Sequence, residues 1–514
     1  MAYLIALLGA WFGFANPVLH IPVAVVLFPC ALVWLGTTAE SSGKAFKRGW
    51  LAGLLAYTAC LYWVVLPVHV YGPLPWVLAL PCPILIGVVL GLFPAVFALL
   101  LHIADHRLPW WAGGLFAGSV WASLELARSI VLTGFPWLSL PQAFGPWPQA
   151  LQGLEVMGTF CFSGILVAIS TWLVHGVHRA VPLIAALLLA GGIIAYGSLE
   201  MQRPQQTEST FSASIIQGNI DQNRKWDPAF QQTTLDTYLA MTRREIERHD
   251  PDLILWPETA LPFYVQEEDS PLKDRLQAFI RRHNRPLLTG APGYARLSRG
   301  SSDADQLTMF NRAYLFNDQG RIADSYEKEH LVPFGEYVPL KGLLPFLDSL
   351  VPGEIDFSPG RRTMPLDQEN LAMGALICYE VIFPGLVQER VRDGAKVLIN
   401  LSNDAWFGRS SAPVQHLHQA ILRAIEQRRY LVRTTNTGIS AVIDPRGRVA
   451  GRTPLFKEAT LYHQDVGLIS SRSLYSRFHA VFTALPPAVA GLLFVLALIR
   501  PAGTSKGRER PRFR

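Results

Sequence analysis

The chain has 514 residues, 50% of them hydrophobic and only 16% charged, against about 25% charged in a typical soluble protein, and its mean hydropathy is +0.24. A purely soluble protein is excluded by the distribution: residues 1–200 are almost free of charge, 201–478 have ordinary globular composition, and 479–500 are apolar again. The net charge of +6 and pI near 9.0 do not point to nucleic acid, because the basic residues flank apolar spans instead of gathering on one element.

Eight membrane spans are expected in chain order. Residues 3–15 are a short apolar stretch broken by Asn16-Pro17, and 18–36 form a second. With neither a basic start nor a clear cleavage site, this region reads as a retained first helix and not a signal peptide. Further spans fall at about 49–70, 73–103, 110–128, 158–176, 180–199 and 479–499. Lys44, Lys47, Arg48, Arg107, Arg179 and a basic tail (Arg500, Lys506, Arg508, Arg510, Arg512, Arg514) all fall on one side, and the short loops opposite hold no Lys or Arg. The positive-inside rule then puts both termini in the cytoplasm and the 201–478 domain outside it. A cytoplasmic domain would require one span to be miscounted. Glu125 and Arg128 close the fifth span. They either pair with each other or face a polar cavity. The 129–157 loop, rich in Pro and Trp, suits a bilayer interface.

Strands and helices alternate within 201–478. Strands are expected at 211–219, 252–258, 286–291, 312–317, 371–380 and 395–402, and near 430–435 and 439–444. Helices are expected at 229–248 and 413–428, so the domain reads as layered α/β. The segments 293–307 and 341–363 are long and irregular. The second carries Leu343, Leu344, Phe346, Leu347, Leu350 and Val351, either as a lid touching the membrane or as local packing.

Chemistry gathers at the ends of strands. Cys378 follows the apolar run Leu371–Ile377 and is the only cysteine of five in the polar domain, which rules out a disulfide within it. Glu258 follows a strand in Trp256-Pro257-Glu258, and Lys328 lies in Tyr326-Glu327-Lys328-Glu329-His330. An ammonium stabilises a thiolate and a carboxylate takes its proton. The same lysine can face the oxyanion formed when sulfur attacks a carbonyl, an effect worth roughly 3–4 kcal/mol. Singly, such residues are turn, surface or packing residues; together they suggest nucleophilic catalysis. His416 and His418 are two apart on a helix and do not make a metal pair. The phosphate loop and dinucleotide fingerprint are also missing, so neither cofactor nor metal is expected.

The contexts of Glu258, Lys328 and Cys378 resemble the Glu–Lys–Cys triad of the nitrilase (carbon–nitrogen hydrolase) superfamily. With the flanking spans, Thr133-Gly134-Phe135-Pro136-Trp137, Gln217-Gly218-Asn219, Lys225-Trp226-Asp227-Pro228 and Pro333-Phe334-Gly335-Glu336-Tyr337-Val338-Pro339, the whole chain resembles its membrane branch, the apolipoprotein N-acyltransferases of the bacterial inner membrane. The resemblance implies a nitrilase-like αββα sandwich (201–478) inserted between seven helices (1–200) and an eighth (479–500), with a cytoplasmic tail at 501–514. It implies acyl transfer from a phospholipid to the N-terminal amine of a diacylglyceryl-cysteine apolipoprotein, with the protein acting as a monomer. Glu336 would orient Lys328, and Tyr379 and Glu380 would support the site or position substrate. Trp226 would either hold an acyl chain or sit in the core. Two rivals are weighed: a membrane-tethered amidase or nitrilase acting on a small amide, and a lipoprotein-binding or transport scaffold with an inert domain.

Overall fold

The computed structural model describes residues 1–72, 74–177, 179–222, 224–297, 306–337, 357–361 and 364–500. Residues 298–305, most of the segment 341–363 and the tail 501–514 lie outside the described residues, and so does the greasy run Leu343–Val351 expected as a lid.

Among the described residues, four helices are long and apolar enough to cross a membrane: Trp76–Arg107, Leu154–Gly176, Ala180–Gln202 and His479–Ile499. Ser42–Cys60 and Tyr62–Tyr71 reach that standard only together, bent by 58° at their junction. The other three expected spans are shorter or less apolar. Ala2–Gly13 and Pro22–Thr37 are short apolar helices. Trp110–Arg128 has 19 residues but includes Gly, Ser and the Glu125/Arg128 pair. That pair is buried, with Arg128 Nη2 3.8 Å from Glu125 Oε1. Arg128 also donates to Tyr57 Oη (2.9 Å), and Glu125 accepts from Trp121 Nε1 (3.0 Å). The two residues thus pair with each other at the helix end, as costly ionisable groups in a membrane tend to, while Glu125 Oε2 and Arg128 Nε and Nη2 have no hydrogen-bond partner among the described residues.

The rest of the chain builds two sheets. The first is ordered β11-β1-β2-β3-β4-β5, from β1 (Ser209–Gln217), β2 (Leu253–Leu255), β3 (Leu287–Leu297), β4 (Gln306–Phe316), β5 (Ile322–Glu327) and β11 (Ala459–Leu468). The second is ordered β10-β9-β8-β7-β6, from β6 (Met373–Ile377), β7 (Val397–Ser402), β8 (Leu431–Thr435), β9 (Ala441–Ile443) and β10 (Val449–Arg452). The β1-β2-β3 and β6-β7-β8 pairings are parallel. Strands of this kind are covered on both faces, which is why they read as continuous apolar runs.

One core lies between the sheets, with Ile215, Leu255, Ala375, Ile377, Ile399 and Val432. A second lies under the helices Pro228–His249 and Pro271–His283, which cover the first sheet. These helices begin where Asp227 and Ser270 accept from the backbone N–H groups of Ala229 and Lys273. The second sheet is covered by Pro384–Arg392 and Ala412–Gln427, and their core is shared with the membrane helices. The order of layers is αββα.

Ala412–Gln427 is the seam between the two parts. Every residue but Val414 is buried, its polar ones included. Its apolar side chains join the shared core, and several of its polar ones bond into the membrane part. Gln415 Oε1 accepts from Trp63 Nε1 (3.1 Å) and Trp137 Nε1 (2.8 Å), and its Nε2 donates to the Ala15 carbonyl (2.9 Å). Arg423 donates to Thr159 Oγ1 (2.7 Å), and Glu426 accepts from the Thr159 N–H (2.6 Å). These bonds offset part of the cost of burying polar groups, although Arg423 Nε, Glu426 Oε2 and the Gln427 amide have no hydrogen-bond partner among the described residues.

Candidate active site

Cys378 sits where β6 ends and a 3₁₀ turn, Cys378–Ile382, begins. Its φ of +53° lies in the left-handed region, which a residue with a side chain occupies at a cost. The turn is held from within. Glu380 has no exposed surface; one oxygen accepts from the Ile377 N–H (2.6 Å). The other accepts from Tyr326 Oη (2.7 Å), the Glu329 N–H (2.7 Å) and the His330 N–H (3.1 Å). Glu380 therefore ties the cysteine turn to the chain carrying Lys328, and it contacts backbone, not an open site.

Lys328 follows β5, and its N–H donates to the Asn311 carbonyl on β4 (2.9 Å). Its side chain is 1% exposed. Nζ lies 2.9 Å from Glu336 and 3.6 Å from Glu258 Oε1. Asn311 bridges the two carboxylates, Nδ2 donating to Glu258 Oε1 (2.8 Å) and Glu336 Oε1 (2.9 Å). Glu336 also accepts from the Val332 N–H (2.8 Å), so its carboxylate is fixed before it meets the lysine. Beneath Glu258, Lys225 Nζ donates to its carbonyl (3.3 Å) and to Thr259 Oγ1.

The electrostatics follow from this packing. Burial works against the Lys328 charge, but Glu336 and Glu258 outweigh it and hold the ammonium well above the usual lysine range. Burial, then the Glu258 charge, pushes the Cys378 thiol up to about 12, with Lys328 pulling the other way and a Ser402 hydrogen bond assisting it. At rest the sulfur is a neutral thiol within electrostatic reach of a carboxylate and an ammonium. Such an arrangement suits a base-assisted nucleophile. Burial lowers Lys225 to about 8 and His330, next to the Lys328 charge, to about 4.

The structure thus brings Glu258, Lys328, Glu336 and Cys378 together. Tyr379 is buried; its Oη donates to the Gly134 carbonyl (3.1 Å) in the Thr133–Trp137 loop, and its ring meets Phe383 at 5.1 Å. Trp226 is 44% exposed, which rules out the core alternative. Asn311 was not legible as a site residue: it is one polar position within β4, whose start the sequence reading placed at Arg312. Asn400 and His416 were also missed. Asn400 Nδ2 (3.4 Å) and His416 Nε2 (3.2 Å) both reach the Cys378 carbonyl. Asn400 lies inside β7, two residues before its end at Ser402, in the run AKVLINLS.

The Carbon-nitrogen hydrolase family profile matches residues 212–466, and the Apolipoprotein N-acyltransferase N-terminal domain profile matches 8–172. An apolipoprotein N-acyltransferase of Geobacter metallireducens is 37% identical over 494 residues, 93% of this chain and 91% of that protein. One from Pseudomonas aeruginosa is 34% identical over 463 residues, covering 87% and 86%. The chain belongs to the apolipoprotein N-acyltransferase family. In this apolipoprotein N-acyltransferase the two profiles fall on different parts of the chain. The N-terminal profile covers the first helices and the Thr133–Trp137 loop. The hydrolase profile spans both sheets and all four of Glu258, Lys328, Glu336 and Cys378.

Proposed function

We propose that this enzyme moves an acyl chain from a phospholipid to the N-terminal amine of an S-diacylglyceryl-cysteine apolipoprotein, through a thioester on Cys378. Glu258 takes the thiol proton as sulfur attacks the ester carbonyl. Lys328 and the backbone N–H after Cys378 face the oxyanion. The ester C–O bond breaks, the proton passes from Glu258 to the leaving oxygen, and a lysophospholipid departs. The lipoprotein amine then attacks the thioester, losing a proton through Glu258. The C–S bond breaks, the thiol is restored and an amide remains. Glu336 and Asn311 hold Lys328 and Glu258 in register, and Trp226, exposed beside Lys225, is available to an acyl chain.

The observation that carries this reading is a nucleophile turn fastened to the membrane part: Tyr379 bonds Gly134, and the helix behind Cys378 bonds Trp63 and Trp137. A cavity of about 580 Å³ adjoins it, lined by Leu126, Met157, Phe160, His330, Phe383 and Phe482 among others, an apolar setting reached from the membrane helices. A site of this kind excludes water and favours transfer over hydrolysis. On this reading the sheets lie on the periplasmic side of a bacterial inner membrane, a sidedness that the basic loops and tail support, with one chain as the working unit. A small-amide hydrolase would use the same triad, but no feature favours it.

Intact-mass analysis after incubation with phospholipid tests the proposal. The wild type gains one acyl mass, lost on adding a diacylglyceryl peptide, and Cys378→Ala gains none. An adduct that survives in Cys378→Ala, or release of ammonia from simple amides with no adduct, would refute it.

A further inference from the structure

The buried polar network behind Cys378 is larger than the chemistry above uses. Asn400 and His416 both donate to the Cys378 carbonyl. With its Nε2–H engaged there, the neutral His416 ring turns the Nδ1 lone pair to Arg433 Nη2 (3.0 Å). Arg433 in turn holds Asp404, both Asp404 oxygens lying 2.9 Å from Nη2. Asp404 Oδ1 also stands 3.1 Å from Nδ1. All four of His416, Asp404, Arg433 and Asn400 are fully buried.

The carbonyl of Cys378 and the N–H of Tyr379 belong to one planar trans peptide, so they point in opposite directions. Fixing the carbonyl towards His416 and Asn400 therefore fixes the Tyr379 N–H on the opposite side. As one of the first residues of the 3₁₀ turn, Tyr379 has an N–H with no acceptor inside the helix. It is free to donate to an oxyanion. A flip of this peptide would aim a carbonyl at the developing negative charge.

His416 is itself fixed from the membrane side. Its neighbour Gln415 accepts from Trp63 and Trp137 and donates to Ala15, and the Gln415 carbonyl accepts from Gln142 Nε2 (2.9 Å). Trp137 also packs against the His416 ring, with centroids 5.4 Å apart.

We infer that His416 is a positioning residue that sets the Cys378–Tyr379 peptide as an oxyanion donor, and that the membrane part of the chain holds it in place through Gln415 and Trp137. This deepens, and rests on, the thioester reading above.

The test separates two reactions of the same sulfur. Acyl transfer from phospholipid passes through an oxyanion, whereas alkylation by iodoacetamide displaces iodide and does not. In the full-length protein, His416→Phe should slow thioester formation at least about tenfold while alkylation of Cys378 stays within about twofold. His416→Gln, which returns an N–H donor, should recover most of the loss. Trp137→Phe, which removes the donor to Gln415 and trims the ring packed on His416, should give a selective loss of about threefold; it decides the case if His416→Phe is not recovered folded. Equal slowing of both reactions, unchanged thioester formation, or a His416→Gln variant as slow as His416→Phe would overturn the inference. A wild type that forms no adduct would instead overturn the thioester reading, before any variant is compared.

Discussion

Two carboxylates around one ammonium leave an excess negative charge in a buried place, and Asn311 is what makes that tolerable. Its single amide nitrogen donates to Glu258 and Glu336 at 2.8 and 2.9 Å, and hydrogen bonds to charged groups are worth about 1.5–3 kcal/mol. Asn311→Leu removes both. Without that donor neither carboxylate is held in place against Lys328, and the rate of thioester formation at pH 7 should fall at least about tenfold. An unchanged rate would mean that Asn311 only fills space. Cys378 yields a pH prediction. Burial and Glu258 push the thiol up to about 12, so the neutral thiol persists across the ordinary range. Its alkylation by iodoacetamide should keep rising from pH 7 to 10, where a free cysteine of pKa about 8.5 would level off. A plateau near pH 8.5 would show that Lys328 outweighs burial.

At the scale of elements, Glu380 joins two strand ends from different sheets, and the cost of losing it is a matter of unpaired donors. Glu380→Ala strands the N–H groups of Ile377, Glu329 and His330 together with the Tyr326 hydroxyl. At about 1–3 kcal/mol for each buried unsatisfied group, a destabilisation of about 3 kcal/mol or more is expected, a drop of roughly 6–12 °C in Tm. Glu380→Gln keeps an acceptor and should lose less. Equal Tm values for the three proteins would contradict the clamp. The same residue shows what sequence could and could not convey. The strands before Glu258 and Cys378 were legible because parallel strands covered on both faces leave unbroken apolar runs, as in Leu253–Leu255 and Met373–Ile377. Glu380 was visible as a charge beside the nucleophile, but three of its four hydrogen bonds come from Tyr326, Glu329 and His330, far back in the chain, and no local pattern encodes them. Strands β5, β10 and β11 passed unnoticed: they are partly exposed, and Asp324, Ser325, Gln464 and Asp465 interrupt their apolar pattern. The helices Pro271–His283 and Pro384–Arg392 were hidden by their charges, which face water on one side only. The bend after Cys60 was equally invisible in a hydropathy profile, which records composition and not direction.

At the scale of the whole molecule, two of the three cores among the described residues belong to residues 201–478 alone, and the third is shared with the membrane helices. In it, Val381, Ile382, Phe383 and Val387 lie with Trp137, Phe144 and Leu151. Each large apolar side chain uncovered there costs about 1.5–3 kcal/mol, and Gln415, Gln419, Arg423 and Glu426 would lose partners supplied by the membrane part. A chain cut to residues 201–478 retains the core between the sheets and the core under Pro228–His249, so its secondary structure should persist. What it loses is the cover over Ala412–Gln427, leaving an apolar patch of the kind that drives association, and with it the hold on the Cys378 carbonyl. The expected outcome is a protein with native far-ultraviolet circular dichroism that aggregates without detergent. In phospholipid micelles its thioester formation should fall at least about a hundredfold. A soluble, monomeric fragment that acylates Cys378 at the full-length rate would mean that the membrane helices deliver lipid and do nothing for the geometry of the site. That result would leave the triad standing and remove the structural reason for joining it to a bilayer.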